Sequence, residues 1–263
     1  MPRDRIGQGP NHALWKFKNA VDTTLLEQAV KGVLDAGVRP SMSDTHDAQQ
    51  FYLGIWCKYS SAAFLTAHSR PSPRAQRAVD FLRSAYDVST RKIMHHLLRI
   101  DPDTAKAMKS AHRGTAELLH ALYEAFYAGE LPNTTFNQLY TTIQVMDRNF
   151  IEGRDTSTRF GGAGTVLCVS LGDVDRFHID TGDSPRYPSV VFCTQPAILH
   201  VQMGRCMLQV PLARGDVVGF SASQYLHKLV RAGTEPPIVF TAWTEAQTVE
   251  RARKWGADHY FVA

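Results

Sequence analysis

The 263-residue chain has little of what a secreted, membrane-embedded or disulfide-stapled protein needs. Its four cysteines, Cys57, Cys168, Cys193 and Cys206, stand far apart without a CxxC pair, which excludes a zinc knuckle or disulfide framework and favours a reducing compartment. There is no run of about eighteen apolar residues, and the opening stretch MPRDRIGQGPNHALWKFKN lacks the apolar segment of a signal peptide. The expectation is an intracellular protein, nuclear or cytoplasmic, neither secreted nor membrane-spanning. Charge of one sign is scarce too: 29 Lys+Arg against 25 Asp+Glu leave +4, compatible with a polyanionic partner but too slight to mark a dedicated nucleic-acid surface. No repeat, low-complexity tract or Pro/Ser/Gly linker divides the chain, so residues 1–263 read as one domain. GxSxG, Walker A and HExxH signatures are missing, and GGAG at 161–164 precedes a strand instead of a helix, so it reads as a turn.

What is present falls into two grammars. With 44% hydrophobic and 21% charged residues the chain is that of an ordinary folded protein. Residues 1–139 read as mainly helical. Asp22 caps a helix closing at Gly37, a second runs through 48–69 to the Pro71-Ser72-Pro73 breaker, a third occupies about 73–99, and a fourth starts at Asp101 or Asp103 and ends at Gly129. The arginines from Arg74 to Arg99 alternate with apolar residues and read as a solvated helix face. From about residue 140 the pattern becomes eight short apolar runs, at 165–171, 174–179, 189–194, 197–203, 205–212, 216–220, 225–230 and 237–243, bounded by Gly, Pro and Asp. Eight short strands with tight turns indicate a sandwich or barrel. A last helix follows over 245–258, and HYFVA at the C-terminus reads as an edge strand.

The eleven histidines raise the question of a metal site, since neutral imidazole is the commonest metal ligand. FHIDTGD places His178, Asp180 and Asp183 at the end of the second run, and His227 lies in the seventh. Two histidines and a carboxylate on one side of a metal make the facial triad of non-haem Fe(II) oxygenases. Residues two apart on a strand point to the same side, so His178 and Asp180 can share a face while the third ligand crosses from another strand. The pair alone is weak: chance supplies such an HxD roughly 0.7 times in a chain with 11 His and 17 Asp. Its position carries the weight. His200, in AILHVQM, is the rival third ligand, and DTGD around Asp183 is also good turn chemistry. His95, His96, His112 and His120 lie on helices and read as structural.

The order HxD, intervening short strands, GDVVGF and YLHKLV resembles the double-stranded β-helix core of Fe(II)/2-oxoglutarate-dependent dioxygenases. HIDTGD is similar to the H-x-D-x-x-D form of the branch containing the TET and JBP nucleic-acid base oxygenases and their fungal and algal relatives. The resemblance covers about residues 140–245. It implies an α+β protein with a jelly-roll core at 140–245, a helical layer at 1–139 and a C-terminal helix and tail at 246–263. It implies Fe(II) held by His178, Asp180 and His227, with Asp183, Tyr187, Thr194 and Gln224 as supporting groups, and oxidation of a C–H bond, with a DNA or RNA base as the substrate it suggests.

One departure bears on the co-substrate. Family members carry an arginine about ten residues beyond the distal histidine to grip 2-oxoglutarate, and here that place falls on Pro236 or Pro237. Either another arginine substitutes, with Arg231, Arg205 and Arg214 the candidates, or the co-substrate differs. Ascorbate, used in place of 2-oxoglutarate by an algal relative, is the alternative, and Asp183 would assist it there. Two other classes of function stay open: a catalytically silent jelly-roll binding protein, and a nucleic-acid-binding domain without chemistry.

Overall fold

The computed structural model describes residues 4–6, 14–57, 63–131, 142 and 161–254. Two antiparallel sheets and four helices result. Strands β1 (Asp4–Ile6) and β2 (Leu14–Phe17) precede helix α1 (Thr23–Asp35). Asp22 caps α1 by accepting hydrogen bonds from the Thr24 and Leu25 amides at 3.1 and 3.2 Å, a contact typically worth about 1 kcal/mol. Leu26, Ala29, Val30 and Val33 form its buried stripe.

The expected helix over 48–69 does not form. That stretch begins a long strand, β4 (Ala48–Trp56), which pairs with β3 (Ser41–Met42) and with β5 (Phe64–Leu65). Phe51, Leu53 and Ile55 point into the core under the helices, while Gln50, Tyr52 and Trp56 line a cavity on the opposite face. A strand covered on both sides is apolar almost throughout and imitates the density of a buried helix. The described residues before Gly161 are therefore a helical layer plus strands that extend a sheet.

The long helices match expectation. Helix α2 (Gln76–Ile100) ends where Asp101 caps α3 (Pro102–Tyr127), which has proline in its first turn. Beyond Gly161 come β6 (Val166–Gly172), β7 (Val174–His178), β8 (Ser189–Cys193), β9 (Ala197–Met203), β10 (Cys206–Leu212), β11 (Val217–Phe220), β12 (His227–Arg231) and β13 (Ile238–Trp243), then α4 (Ala246–Lys254). All eight coincide with the predicted runs to within two residues at either end. The terminal HYFVA strand lies outside the described residues.

The larger sheet has the order β1-β2-β11-β8-β13-β6-β4-β3, and the smaller β10-β9-β12-β7. The chain thus passes repeatedly between sheets from β6 to β13. One core lies between the larger sheet and the helices, where Tyr86 of α2 stacks on Phe192 and Phe240 at 6.0 and 6.4 Å between ring centres. A second, formed by Val191, Leu199, Val201, Phe220, Leu229 and others, fills the space between the sheets. At one end that space stays open. Among the described residues no helix is long and apolar enough to cross a membrane.

Candidate metal centre

The open end of the sandwich is where three candidate ligands meet. His178 closes β7, His227 opens β12, and antiparallel pairing sets them directly opposite each other. Asp180, two residues beyond His178, returns to the same side, its amide held by the Ala222 carbonyl at 3.1 Å. The Nε2 atoms of His178 and His227 each lie 3.5 Å from a carboxylate oxygen of Asp180. One ligand atom from each of the three residues falls within 4.8 Å of the others.

The imidazoles are oriented by the backbone. His178 Nδ1 is 2.9 Å from the Arg176 carbonyl and His227 Nδ1 is 2.8 Å from that of Tyr225, in both cases two residues earlier on the same strand. With Nδ1–H donating to a carbonyl, the lone pair sits on Nε2 and faces Asp180. Phe220 packs edge-on against His227 at 4.9 Å. Burial first, and then the neighbouring His227, lower the pKa of His178, favouring the neutral form that a metal requires. Two imidazole nitrogens and one carboxylate, partly open to a cavity, are a donor set that fits Fe(II).

His200 does not join them. Across β9 and β12, His227 faces Val201 and Lys228 faces His200, so strand parity turns His200 to the outer face of the smaller sheet. Asp183 lines the cavity but serves a turn: its amide donates to the Asp180 carbonyl at 3.0 Å and its carboxylate accepts from Ser189 Oγ at 2.6 Å. Burial, and then Asp180, push its pKa well above the usual carboxylate range. Tyr187, Thr194 and Gln224 make no hydrogen bond to the ring of His178 or His227 in the described structure; the carbonyls of Arg176 and Tyr225 have that role.

The three arginines proposed to grip a co-substrate stand elsewhere. Arg231 is at the far end of β12 from His227 and pairs with Asp173 at 3.6 Å. Arg205 occupies the exposed turn between β9 and β10, and Arg214 bonds Thr23 and Glu27 on α1 at 2.6 and 2.7 Å. None lines the cavity.

That cavity measures about 510 Å³, within the range of small-molecule sites. Its floor is Val191, Leu199, Leu229 and Val239. One wall is a polar chain in which Tyr52 Oη donates to Gln50 Oε1 at 2.5 Å and Gln50 Nε2 donates to Ser170 Oγ at 3.1 Å. Burial pushes the adjoining Cys168 thiol up to about 12, so it stays protonated at neutral pH. His46 packs its ring against His178, 4.5 Å between centres and nearly edge-on. Burial, then His178, lower its pKa to about 4. From β13 the cavity receives Val239, Thr241 and Trp243, and just beyond it Glu245.

Among the described residues lining the cavity there is no lysine or arginine, while Asp44, Asp180, Asp183 and Glu245 are all acidic. A dicarboxylate such as 2-oxoglutarate requires a cation for its far end. These residues do not fit it.

His46, Gln50, Tyr52 and Glu245 are cavity residues that sequence reasoning missed. The first three lie in or beside the segment read as helix. The alternation of Gln50, Tyr52 and Trp56 against Phe51, Leu53 and Ile55 was the available signal.

No protein-family model and no curated protein matches the chain. Solved structures do. One is NgTET1 in complex with 5mC DNA, with a TM-score of 0.49 and 11% identity over 89% of this chain and 73% of that one. A second is OsALKBH1, with a TM-score of 0.42 and 11% identity over 92% and 100%. A third is a prolyl-4-hydroxylase of Pseudomonas putida, with a TM-score of 0.37 and 11% identity over 88% and 92%.

Proposed function

We propose that this chain is a non-haem Fe(II)-dependent oxygenase whose strands β6–β13 form a double-stranded β-helix, and that His178, Asp180 and His227 hold the iron. The convergence of three ligand atoms within 4.8 Å, from the end of β7 and the start of β12, carries this reading. Bound iron would supply dioxygen activation and oxidation of a C–H bond. The chain's own residues do the rest. Arg176 and Tyr225 carbonyls fix the imidazoles, Val191, Leu199, Leu229 and Val239 keep the floor dry, and the Tyr52-Gln50-Ser170 chain presents hydrogen-bonding groups to whatever enters.

Among the described residues the cavity offers the far carboxylate of 2-oxoglutarate no cation, which favours a substitute co-substrate in this reading. The ascorbate alternative suits the wall of hydroxyl and amide groups better, with Asp183 as a neighbouring carboxyl group. For the substrate we favour a base of DNA or RNA, flipped from its stack into the cavity. One feature of the strands that carry the centre supports this: on the outer face of the smaller sheet the Lys228 ammonium sits 4.6 Å above the ring of Phe177, itself 44% exposed, an aromatic and cationic surface of the type that single-stranded nucleic acid uses.

The test is oxygen uptake by the Fe(II)-loaded protein with methylated DNA and RNA oligonucleotides, ascorbate and 2-oxoglutarate supplied separately, and mass spectrometry of the bases. An oxidised base formed with ascorbate and not with 2-oxoglutarate is the expected result. No oxygen uptake under any combination would favour the rival reading, a silent jelly-roll binding protein.

A further inference from the structure

We propose that His46 is a ligand-binding residue of this site: its unpaired Nδ1 takes the hydrogen bond of a hydroxyl, enol or amide group on the organic molecule that binds beside His178, Asp180 and His227. The proposal rests on the metal-centre reading above and adds a residue outside the ligand set.

Three observations carry it. The first is placement. His46 lies in the turn between β3 and β4, where Ser43 Oγ accepts hydrogen bonds from the Thr45 and His46 amides at 3.2 and 3.1 Å. Arg176 of β7 donates to the Thr45 carbonyl at 3.4 Å, tying this turn to the strand that carries His178. The second is packing. Rings run in a row from His46 to His178, His227 and Phe220, at successive centre distances of 4.5, 4.2 and 4.9 Å. His46 thus lines the cavity immediately behind a metal ligand, yet only His178, Asp180 and His227 form the described cluster within metal reach.

The third is an unmet hydrogen bond. His46 Nδ1 is buried and has no partner among the described residues. Several other polar groups on the cavity wall are engaged, Tyr52 with Gln50, Gln50 with Ser170 and Asp183 with Ser189, while Trp56 Nε1 on the same wall is likewise buried without a partner, but it can only donate. A buried polar nitrogen left unpaired costs stability, and a ligand that pairs it recovers that cost as affinity. An imidazole nitrogen donates or accepts according to its tautomer, so a hydroxyl, enol or amide satisfies it and a hydrocarbon does not.

The test uses Co(II) in place of iron, with its visible spectrum as the readout, and acetohydroxamate as a small chelating probe with its own hydrogen-bonding groups. His46→Phe keeps a ring against His178 and deletes both nitrogens, and His46→Asn restores a polar group. His46→Phe is expected to bind acetohydroxamate about tenfold more weakly than the wild type, as loss of one buried hydrogen bond implies. Co(II) affinity is expected to stay unchanged, and His46→Asn to regain part of the loss. Equal probe affinity in wild type and His46→Phe would overturn the proposal. A parallel loss of Co(II) affinity would also overturn it, because His46 would then only support His178. If the wild type bound no Co(II), the metal-centre reading itself would fall, a failure distinguishable from the other two.

Discussion

At the scale of single residues, the centre is built from strand parity and two backbone carbonyls. His178 and Asp180 share a side because they are two residues apart, and each candidate imidazole, His178 and His227, is turned by the carbonyl two residues before it. The sequence made the first fact legible and hid the second, since a carbonyl leaves no mark on residue identity. Asp183 illustrates the same limit: DTGD spelled a turn, but the crowding of its carboxyl by Asp180 and Glu245 depends on tertiary placement. That crowding has a consequence for the metal-free protein. Burial raises the folded-state pKa of Asp183 above its unfolded value, so native protein binds this proton more tightly, and the group's contribution to stability falls as pH rises from about 4 through the elevated pKa. Asp183→Asn is expected to flatten that decline and to leave the chelator-treated protein at least as stable as wild type at pH 7. Urea unfolding between pH 4 and 8 measures it, and a variant less stable at pH 7 than at pH 4, as steeply as wild type, would contradict it.

At the scale of elements, the strands after Gly161 were readable because each is a short apolar run between turn residues, and the two long helices because their caps and periodicity agree. Strand β4 was read as helix, because its apolar density masked the two-residue alternation, and with it went His46, Gln50 and Tyr52. Strand β2 was equally hidden; its place is fixed by distant partners. Lys16 reaches across to Asp216 at 2.8 Å, with side chains only 10% and 5% exposed, and the Asn19 and Ala213 amides also donate to that carboxylate. Burial alone would raise the Asp216 pKa, but the Lys16 ammonium and the two amides outweigh it and hold it below the ordinary value. Its stabilising effect is therefore present above the unfolded pKa near 4 and is lost as pH falls through the lower folded value. Asp216→Asn leaves the Lys16 ammonium with the Pro211 carbonyl but removes its ion pair, and is expected to cost about 1–3 kcal/mol at pH 7, with a much smaller difference from wild type near pH 2. Chemical denaturation at the two pH values checks both magnitude and sign.

At the scale of the whole molecule, the halves separated by composition are joined by one core. Helices α1 to α3 pack on the face of the larger sheet opposite the cavity, and Tyr86 of α2 stacks on Phe192 of β8 and Phe240 of β13. The long helices and the strands after Gly161 were legible in sequence, but the contribution of early strands to the sheet was not, since β-pairing over such separations leaves no local pattern. Tyr86→Ala should lower stability by about 3–5 kcal/mol, read by thermal or denaturant unfolding. A chain started at Gly161 should fail to fold as a soluble monomer on size exclusion, because the larger sheet would expose its helix-facing core. The most direct measurement of the whole reading is anaerobic equilibrium dialysis against Fe(II), comparing wild type with His178→Ala, Asp180→Ala and His227→Ala, each checked for native circular dichroism. The expected result is one iron per wild-type chain and a loss of affinity in every folded variant greater than the ~10–100-fold typical of an outer-sphere change. Wild-type affinity retained in any of the three, or no iron bound by the wild type, would contradict it.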